Sequence, residues 1–108
     1  MTIEDWRNEI DNVDNELLGL LNQRVQLATM IGRLKRAANL PVSDIDRERA
    51  LLERLRRVNA GPLDDQAVGV IFQQIMSETS RLEAHAIASE PRRRRPALRR
   101  ISARFIRE

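Results

Sequence analysis

Residues 6–35 read WRNEIDNVDNELLGLLNQRVQLATMIGRLK. Apolar side chains fall at Trp6, Ile10, Val13, Leu17 and Leu20, then at Leu27, Ile31 and Leu34, in steps that alternate four and three residues. That is the heptad rhythm of a helix seam. Leu18, Leu21, Val25 and Ala28 widen the stripe beyond a strict coiled coil. Thr2 is a candidate N-cap, with Asp5 supplying the acidic character favoured in a first turn. The pattern predicts one helix from about Ile3 to Ala38, ended by Asn39-Leu40-Pro41. At about 1.5 Å per residue it spans roughly 54 Å, whereas a compact chain of this length has a radius of gyration of about 13 Å. A helix that overshoots its own chain needs a second copy to cover it, and C2 dimers are the commonest oligomers. A helical homodimer is therefore expected on length alone.

Two further helices follow. Ser43 or Asp44 can cap the second, with Ser43 and Asp46 at capping-box spacing. Its apolar side is Ile45, Leu51, Leu52, Leu55 and Val58, and Asn59-Ala60-Gly61-Pro62 stops it. Asp64 caps the third, with Asp65 and Gln66 in its first turn. Val68, Ile71, Phe72, Ile75, Leu82 and Ala86 form the expected buried face, which fades near Ala88-Ser89-Glu90-Pro91. Leu, Arg, Glu and Ala dominate, aromatic content is 3%, and Val/Ile/Thr alternation and Asn-Gly turns are missing. The fold class expected is all-α, three helices per chain with a very long first one.

Composition narrows the chemistry. The 108 residues include no Cys and one His, which removes disulfides, thiolate metal sites, Cys nucleophiles and His-rich zinc sites. No Ser-His-Asp constellation or Gly-rich phosphate loop is present, and His85 reads as an ordinary surface residue. Neither a metal nor a cofactor is expected. The acidic start, MTIEDWRNEID, is unlike a signal peptide, and no apolar run approaches the roughly 20 residues that span a bilayer. A cytoplasmic protein without membrane contact is the expectation. Residues 91–108, PRRRRPALRRISARFIRE, hold eight Arg and one Glu, whereas residues 1–90 carry a net −4. The chain thus divides into a helical domain over 1–90 and an Arg-rich tail over 91–108, expected to be disordered or a short docking helix.

Polar residues interrupt the seam. Arg24 stands seven residues after Leu17 and seven before Ile31, where an apolar side chain is expected. A buried, unpaired guanidinium costs several kcal/mol, so an anion or carboxylate should meet it, although a lone polar seam residue can also simply fix register. Lys35, the single lysine, comes eleven residues later and returns to within about 20° of the same face, about 16 Å further along the axis. Two long cationic side chains on one face suit a small anion. Arg7 lies about 100° around the helix from Arg24, so it cannot easily serve the same pocket in its own chain but is placed to serve the partner's in an antiparallel dimer; by itself it reads as a surface arginine. Asp44, Arg47 and Glu48 share a face at the start of the second helix, by itself a solvated cap with an internal ion pair. Thr79 and Glu83 are i, i+4 neighbours beside the stripe of the third.

In this order, residues 7–86 resemble the all-α (AroQ-type) class of chorismate mutase. The resemblance is carried by RNEIDNVDNELLGLLNQRVQLATMIGRLK, PVSDIDRERALLERL and GPLDDQAVGVIFQQIMSETSRLE, about three quarters of the chain. Its most specific element is Pro41-Val42 followed by Asp44-Ile45-Asp46-Arg47-Glu48-Arg49 at the right distance from Arg24 and Lys35. The resemblance implies an intertwined homodimer of three-helix chains with paired first helices and two active sites. It implies rearrangement of chorismate to prephenate, the entry to phenylalanine and tyrosine. It places Arg24, Lys35, Asp44, Arg47, Glu48, Thr79 and Glu83 at substrate-binding positions, with Lys35, Glu83 and Arg24 the catalytic ones. The partner subunit's Arg7 reaches across.

The chemistry fits those residue types. Chorismate carries two carboxylates and rearranges without a nucleophile or cofactor, so an enzyme need only hold the compact conformer and stabilise charge on the breaking ether oxygen. Arg24, Arg47 and the partner's Arg7 offer bidentate forks for carboxylates. Lys35 suits the ether oxygen, and Glu48 the ring hydroxyl. Thr79 stands where Ser is common, and Glu83 where Gln is common. Gln donates at any pH, whereas Glu donates only when protonated. Burial raises the pKa of Glu83 and Lys35 lowers it, and the sequence does not say which prevails.

Two other readings compete. An isochorismate pyruvate lyase shares the fold, but such proteins generally lack the Asp44-to-Arg49 run and have a shorter loop before the second helix. A non-catalytic helical dimer would bind nucleic acid or a partner through the tail. That tail has little aromatic interleaving and no recognised nucleic-acid fold precedes it. Nucleic acid is not the expected partner; a partner enzyme docking on the basic tail stays open.

Overall fold

The structure is a computed structural model that describes residues 1–41 and 43–89. The Arg-rich segment 91–108 and the expectations attached to it lie outside the described residues, as does Val42. Three helices follow in order: α1 (Ile3–Ala37), α2 (Ile45–Val58) and α3 (Asp65–Ala88), with no strand among the described residues. The all-α expectation and the length of the first helix both hold.

Each helix starts where a short polar side chain can take up free backbone donors. At α1 the Thr2 hydroxyl accepts from the Asp5 N–H (3.1 Å) and the Asp5 carboxylate accepts from the Thr2 N–H (2.8 Å). The Thr2 backbone N–H foremost, and the Thr2 side chain after it, hold the Asp5 carboxyl below its ordinary range. At α2 the cap is Asp44, whose Oδ1 accepts from the Arg47 N–H at 2.9 Å. The Ser43–Asp46 box is not formed: with Asp44 as the cap, the third helical residue is Arg47, which offers only its backbone to the carboxylate. At α3, Asp64 Oδ1 accepts from the Ala67 N–H at 2.7 Å.

The helix ends are equally local. Asn39 takes a left-handed φ of 55°, and the N–H groups of Leu40 and Asn39 return to the carbonyls of Lys35 (2.8 Å) and Arg36 (3.2 Å). This Schellman closure fixes the last turn of α1 at Lys35. After α2, the left-handed residue is Gly61 (φ 77°), and the Asn59 side chain organises the loop. Its Oδ1 accepts from the Gly61 N–H (3.0 Å), and its Nδ2 donates to the Leu63 carbonyl (2.7 Å).

α3 lies against both other helices, which do not touch each other. Arg24 meets Thr79, Gly32 meets Glu83, and Arg36 Nη1 donates to the Ile87 carbonyl at 3.4 Å. The residue numbers on α1 and α3 rise together along these contacts, so the two helices run parallel. Nearer the start of α3, the Arg56 side chain of α2 lies against Gly69.

The interior is thin. Leu51 and Val68 are the buried apolar side chains, and no large side chain is fully buried among the described residues. Of the expected α3 face, Val68 is buried and Phe72, Ile75 and Ala86 are half-buried. Ile71 (43% exposed) and Leu82 (38%) face outward, which corrects the expectation for those two residues. Thr79 and Glu83, one and two turns beyond Ile75, take the α1-facing line instead. Ile45 and Val58 of α2 are also exposed. The first 20 residues are exposed throughout, including Trp6 (58%), Ile10, Val13, Leu17 and Leu20 (62%). The described residues extend over 59 × 28 × 22 Å, with a radius of gyration of 17.6 Å against about 13 Å for a compact domain of about 100 residues.

Candidate active site

The parallel contact of α1 and α3 gathers four of the expected residues. Arg24 is half-buried, and its Nη1 donates to Thr79 Oγ1 at 3.3 Å. Thr79 is 5% exposed, and its hydroxyl donates to the Ile75 carbonyl one turn back at 2.6 Å. The hydroxyl proton is thus committed to α3, and a lone pair faces the guanidinium. Thr79 therefore orients Arg24. Among the described residues no carboxylate pairs with Arg24, so the guanidinium keeps its charge for something else.

Lys35 and Glu83 form the second pair, further along the same face. Both are half-buried. Burial pushes the Glu83 carboxyl above its ordinary range, and the positive charge of Lys35 pulls against that without cancelling it. The opposition that the sequence left open is settled in favour of burial. Glu83 thus keeps its proton to higher pH than a solvated glutamate does.

Sequence reasoning missed Gly32, the buried residue of α1. The Glu83 side chain occupies the space beside it: an ideal Cβ at Gly32 would run into Glu83 Oε1, 2.8 Å from Cδ and 3.0 Å from Cγ. A glycine inside a helix costs about 0.8–1 kcal/mol relative to alanine, a signal that something requires it. Gly19 in the same helix gives the same signal, yet nothing lies within 4 Å of a Cβ there. The signal alone does not tell the two apart.

The other expected residues are not joined to this face within one chain. Arg7 is exposed and sits 3.9 Å from Glu4 Oε2, about 26 Å along the helix axis from Arg24. Asp44 spends one carboxylate oxygen on capping α2. Arg47 and Glu48 are exposed in the first turn of α2, and no hydrogen bond ties either side chain to Arg24, Lys35 or Glu83 among the described residues. His85 is exposed, as expected. No helix among the described residues is long and apolar enough to cross a membrane.

Comparison with known proteins bears on this arrangement. The family model described as chorismate mutase type II matches residues 6–84. The bifunctional chorismate mutase/prephenate dehydratase of Aquifex aeolicus is 39% identical over 85 residues, which is 75% of this chain and 24% of that protein. This chain therefore spans about a quarter of the length of that relative. The chorismate mutase of Methanocaldococcus jannaschii is 29% identical over 76 residues, covering 70% of this chain and 77% of that one. Among solved structures, chorismate mutase (form II) from Thermus thermophilus superposes with a TM-score of 0.74 at 36% identity, covering 76% of this chain and 93% of that chain. With its α1/α3 site inside the matched span, the chain belongs to the chorismate mutase type II family.

Proposed function

We propose that this chain is a chorismate mutase that works as a homodimer and rearranges chorismate to prephenate. The observation that carries the reading is the half-buried Arg24, held by Thr79 and without a carboxylate partner among the described residues, on one face with Lys35 and a Glu83 carboxyl that burial favours in its neutral form. A dianionic substrate that rearranges by itself needs cations placed for its carboxylates and donors placed for the oxygen on which charge develops. Arg24 takes a substrate carboxylate, and Thr79 fixes the plane of its fork. Lys35 donates to the ether oxygen as the C–O bond breaks, and protonated Glu83 is the second donor there.

Arg47 and Glu48 complete the pocket from the start of α2, which Asp44 holds in place. Arg47 takes the other carboxylate, and Glu48 accepts from the ring hydroxyl. The partner's Arg7 supplies the last cation. The support for a dimer is the bare apolar seam of α1 and the distance between Arg7 and Arg24 in one chain. No step of this chemistry calls for a nucleophile.

The test is conversion of chorismate to prephenate by the purified protein without added metal, with isochorismate offered in parallel. Prephenate from chorismate is expected. Pyruvate released from isochorismate, with chorismate untouched, would overturn the reading in favour of a lyase. Lys35→Ala should lower kcat by about 10²-fold or more, as loss of one oxyanion donor does, while its melting temperature stays close to that of the wild type. Ordinary turnover by Lys35→Ala would remove the proposed mechanism even with the reaction confirmed.

A further inference from the structure

Most of α1 is held by its caps and by side chains that project from it, but at Gly32 the helix backbone itself is the contact surface. Gly32 is buried, and the side chain lying where its Cβ would stand is that of Glu83. Glycine weakens a helix interior, so a buried helical glycine in close contact marks a place where a neighbour must come nearer than alanine allows. Gly19, thirteen residues earlier in the same helix, has no such neighbour. The closeness is thus a property of the Glu83 position and not of α1 in general.

We propose that Gly32 is a positioning residue: its missing side chain is the slot that holds the Glu83 carboxyl against α1, one turn before Lys35. The role assigned to Glu83 rests on the proposed mutase reading, whereas the slot itself rests on the packing of α1 against α3. A carboxyl lying on helix backbone is shielded from water on that side, which favours its neutral, donating form. The same placement sets its distance from Lys35, so that both donors are presented together. Of the charged groups on the three helices, Lys35 of α1 is the one whose charge acts on Glu83. On α1 itself, Arg24 is engaged with Thr79 and Arg36 with the Ile87 carbonyl, and on α3 Arg81 is engaged with Glu78. His85, on α3, is exposed, and no group of α2 acts on Glu83.

A methyl group at position 32 has two ways out of the collision. It can push the carboxyl toward solvent with the fold intact, or it can part α1 from α3. Both effects come from Glu83, and both disappear when that side chain is cut back.

The experiment uses four full-length proteins: wild type, Gly32→Ala, Glu83→Ala and the double variant. Each is followed by chorismate kinetics and thermal unfolding, and the Glu83 carboxyl is titrated by carbon-13 NMR in the two that retain it. Gly32→Ala is expected to lower kcat at neutral pH by about tenfold or more, with KM changed by about threefold at most. Its Glu83 titration midpoint should move down toward that of a solvated glutamate. In the Glu83→Ala background the same substitution should leave kcat where it is and leave the melting temperature equal or higher, since alanine is the better helix former. An unchanged midpoint and kcat in Gly32→Ala overturns the proposal, as does equal destabilisation in both backgrounds. If Gly32→Ala does not fold, the double variant decides: its folding supports the slot and its failure overturns it. If the wild type leaves chorismate untouched, the mutase reading falls while the titration and the unfolding comparison still judge the slot.

Discussion

At Glu83 two influences oppose each other, burial favouring the neutral acid and the Lys35 ammonium favouring the carboxylate, and burial is the larger. The sign of the consequence follows directly. With its folded pKa raised, Glu83 stays protonated to higher pH, and the donation proposed for it would be lost as pH rises through that value. Activity should therefore be highest on the acidic side and decline toward alkaline pH. Glutamine keeps the shape and carries an N–H donor at every pH, so Glu83→Gln should flatten the profile across the neutral range and retain substantial activity. Stability follows the same sign: the native state binds this proton more tightly than the unfolded chain, so the contribution is present at low pH and is lost as pH rises through the folded pKa. Glu83→Gln removes that dependence too. The check is kcat and melting temperature between about pH 3.5 and 8.5, bracketing the ordinary glutamate value of about 4.3 and its upward shifts. Matching profiles in the two proteins would mean that Glu83 is not the titrating donor. Arg24 and Lys35 were legible in the sequence because charge on an apolar seam breaks a pattern. Which influence wins at Glu83 was not, because desolvation depends on which flank of α3 meets α1.

At the scale of the helix, starts and stops are written in a few consecutive residues and were readable as such. Thr2, Asp44 and Asp64 cap as their chemistry dictates, and Asn39 closes α1. Facing relations are a different matter: periodicity gives the width of an apolar stripe and not which edge of it a neighbour covers, so Ile71 and Leu82 point outward while Thr79 is buried. Asp44 shows how a cap and a proposed pocket residue can be one position. Its carboxylate holds the first turn of α2, from which Arg47 and Glu48 project. Asparagine is as good a cap, so Asp44→Asn should keep the stability and most of the activity, whereas Asp44→Ala should lose about 1 kcal/mol and part of kcat/KM. Denaturant melts and steady-state kinetics on the pair separate the two roles. If asparagine loses as much activity as alanine while staying as stable as wild type, the charge of Asp44 touches the substrate and its part is more than presentation.

The whole molecule poses the remaining question, because one chain leaves the apolar seam of α1 uncovered and Arg7 far from the face it would serve. Trp6, Ile10, Val13, Leu17 and Leu20 are each 49–62% exposed, and covering them is worth about 1 kcal/mol apiece, or roughly 10 kcal/mol for two chains. That is of the order of the 4–15 kcal/mol or so that association costs, so the exposed residues of α2 and α3 must add to the interface for a stable dimer. Helix length made the uncovered seam legible from sequence; the surface that would cover it was not, since no pattern within one chain says where a second copy would lie. Site sharing has a test that stability measurements cannot imitate. Arg7→Ala and Arg24→Ala chains are each expected to form dimers with both sites damaged. Unfolded together and refolded at equal concentration, half of the dimers would contain one chain of each kind. If a site takes Arg24 from one chain and Arg7 from the other, each mixed dimer has one site with both arginines and one with neither. The mixture should then recover about a quarter of wild-type activity, well above either parent. If Arg7 acted within its own chain, every chain in the mixture would still carry one lesion, and the activity would be the average of the two parents. That average, measured on a mixture shown to contain mixed dimers, would sink the shared site.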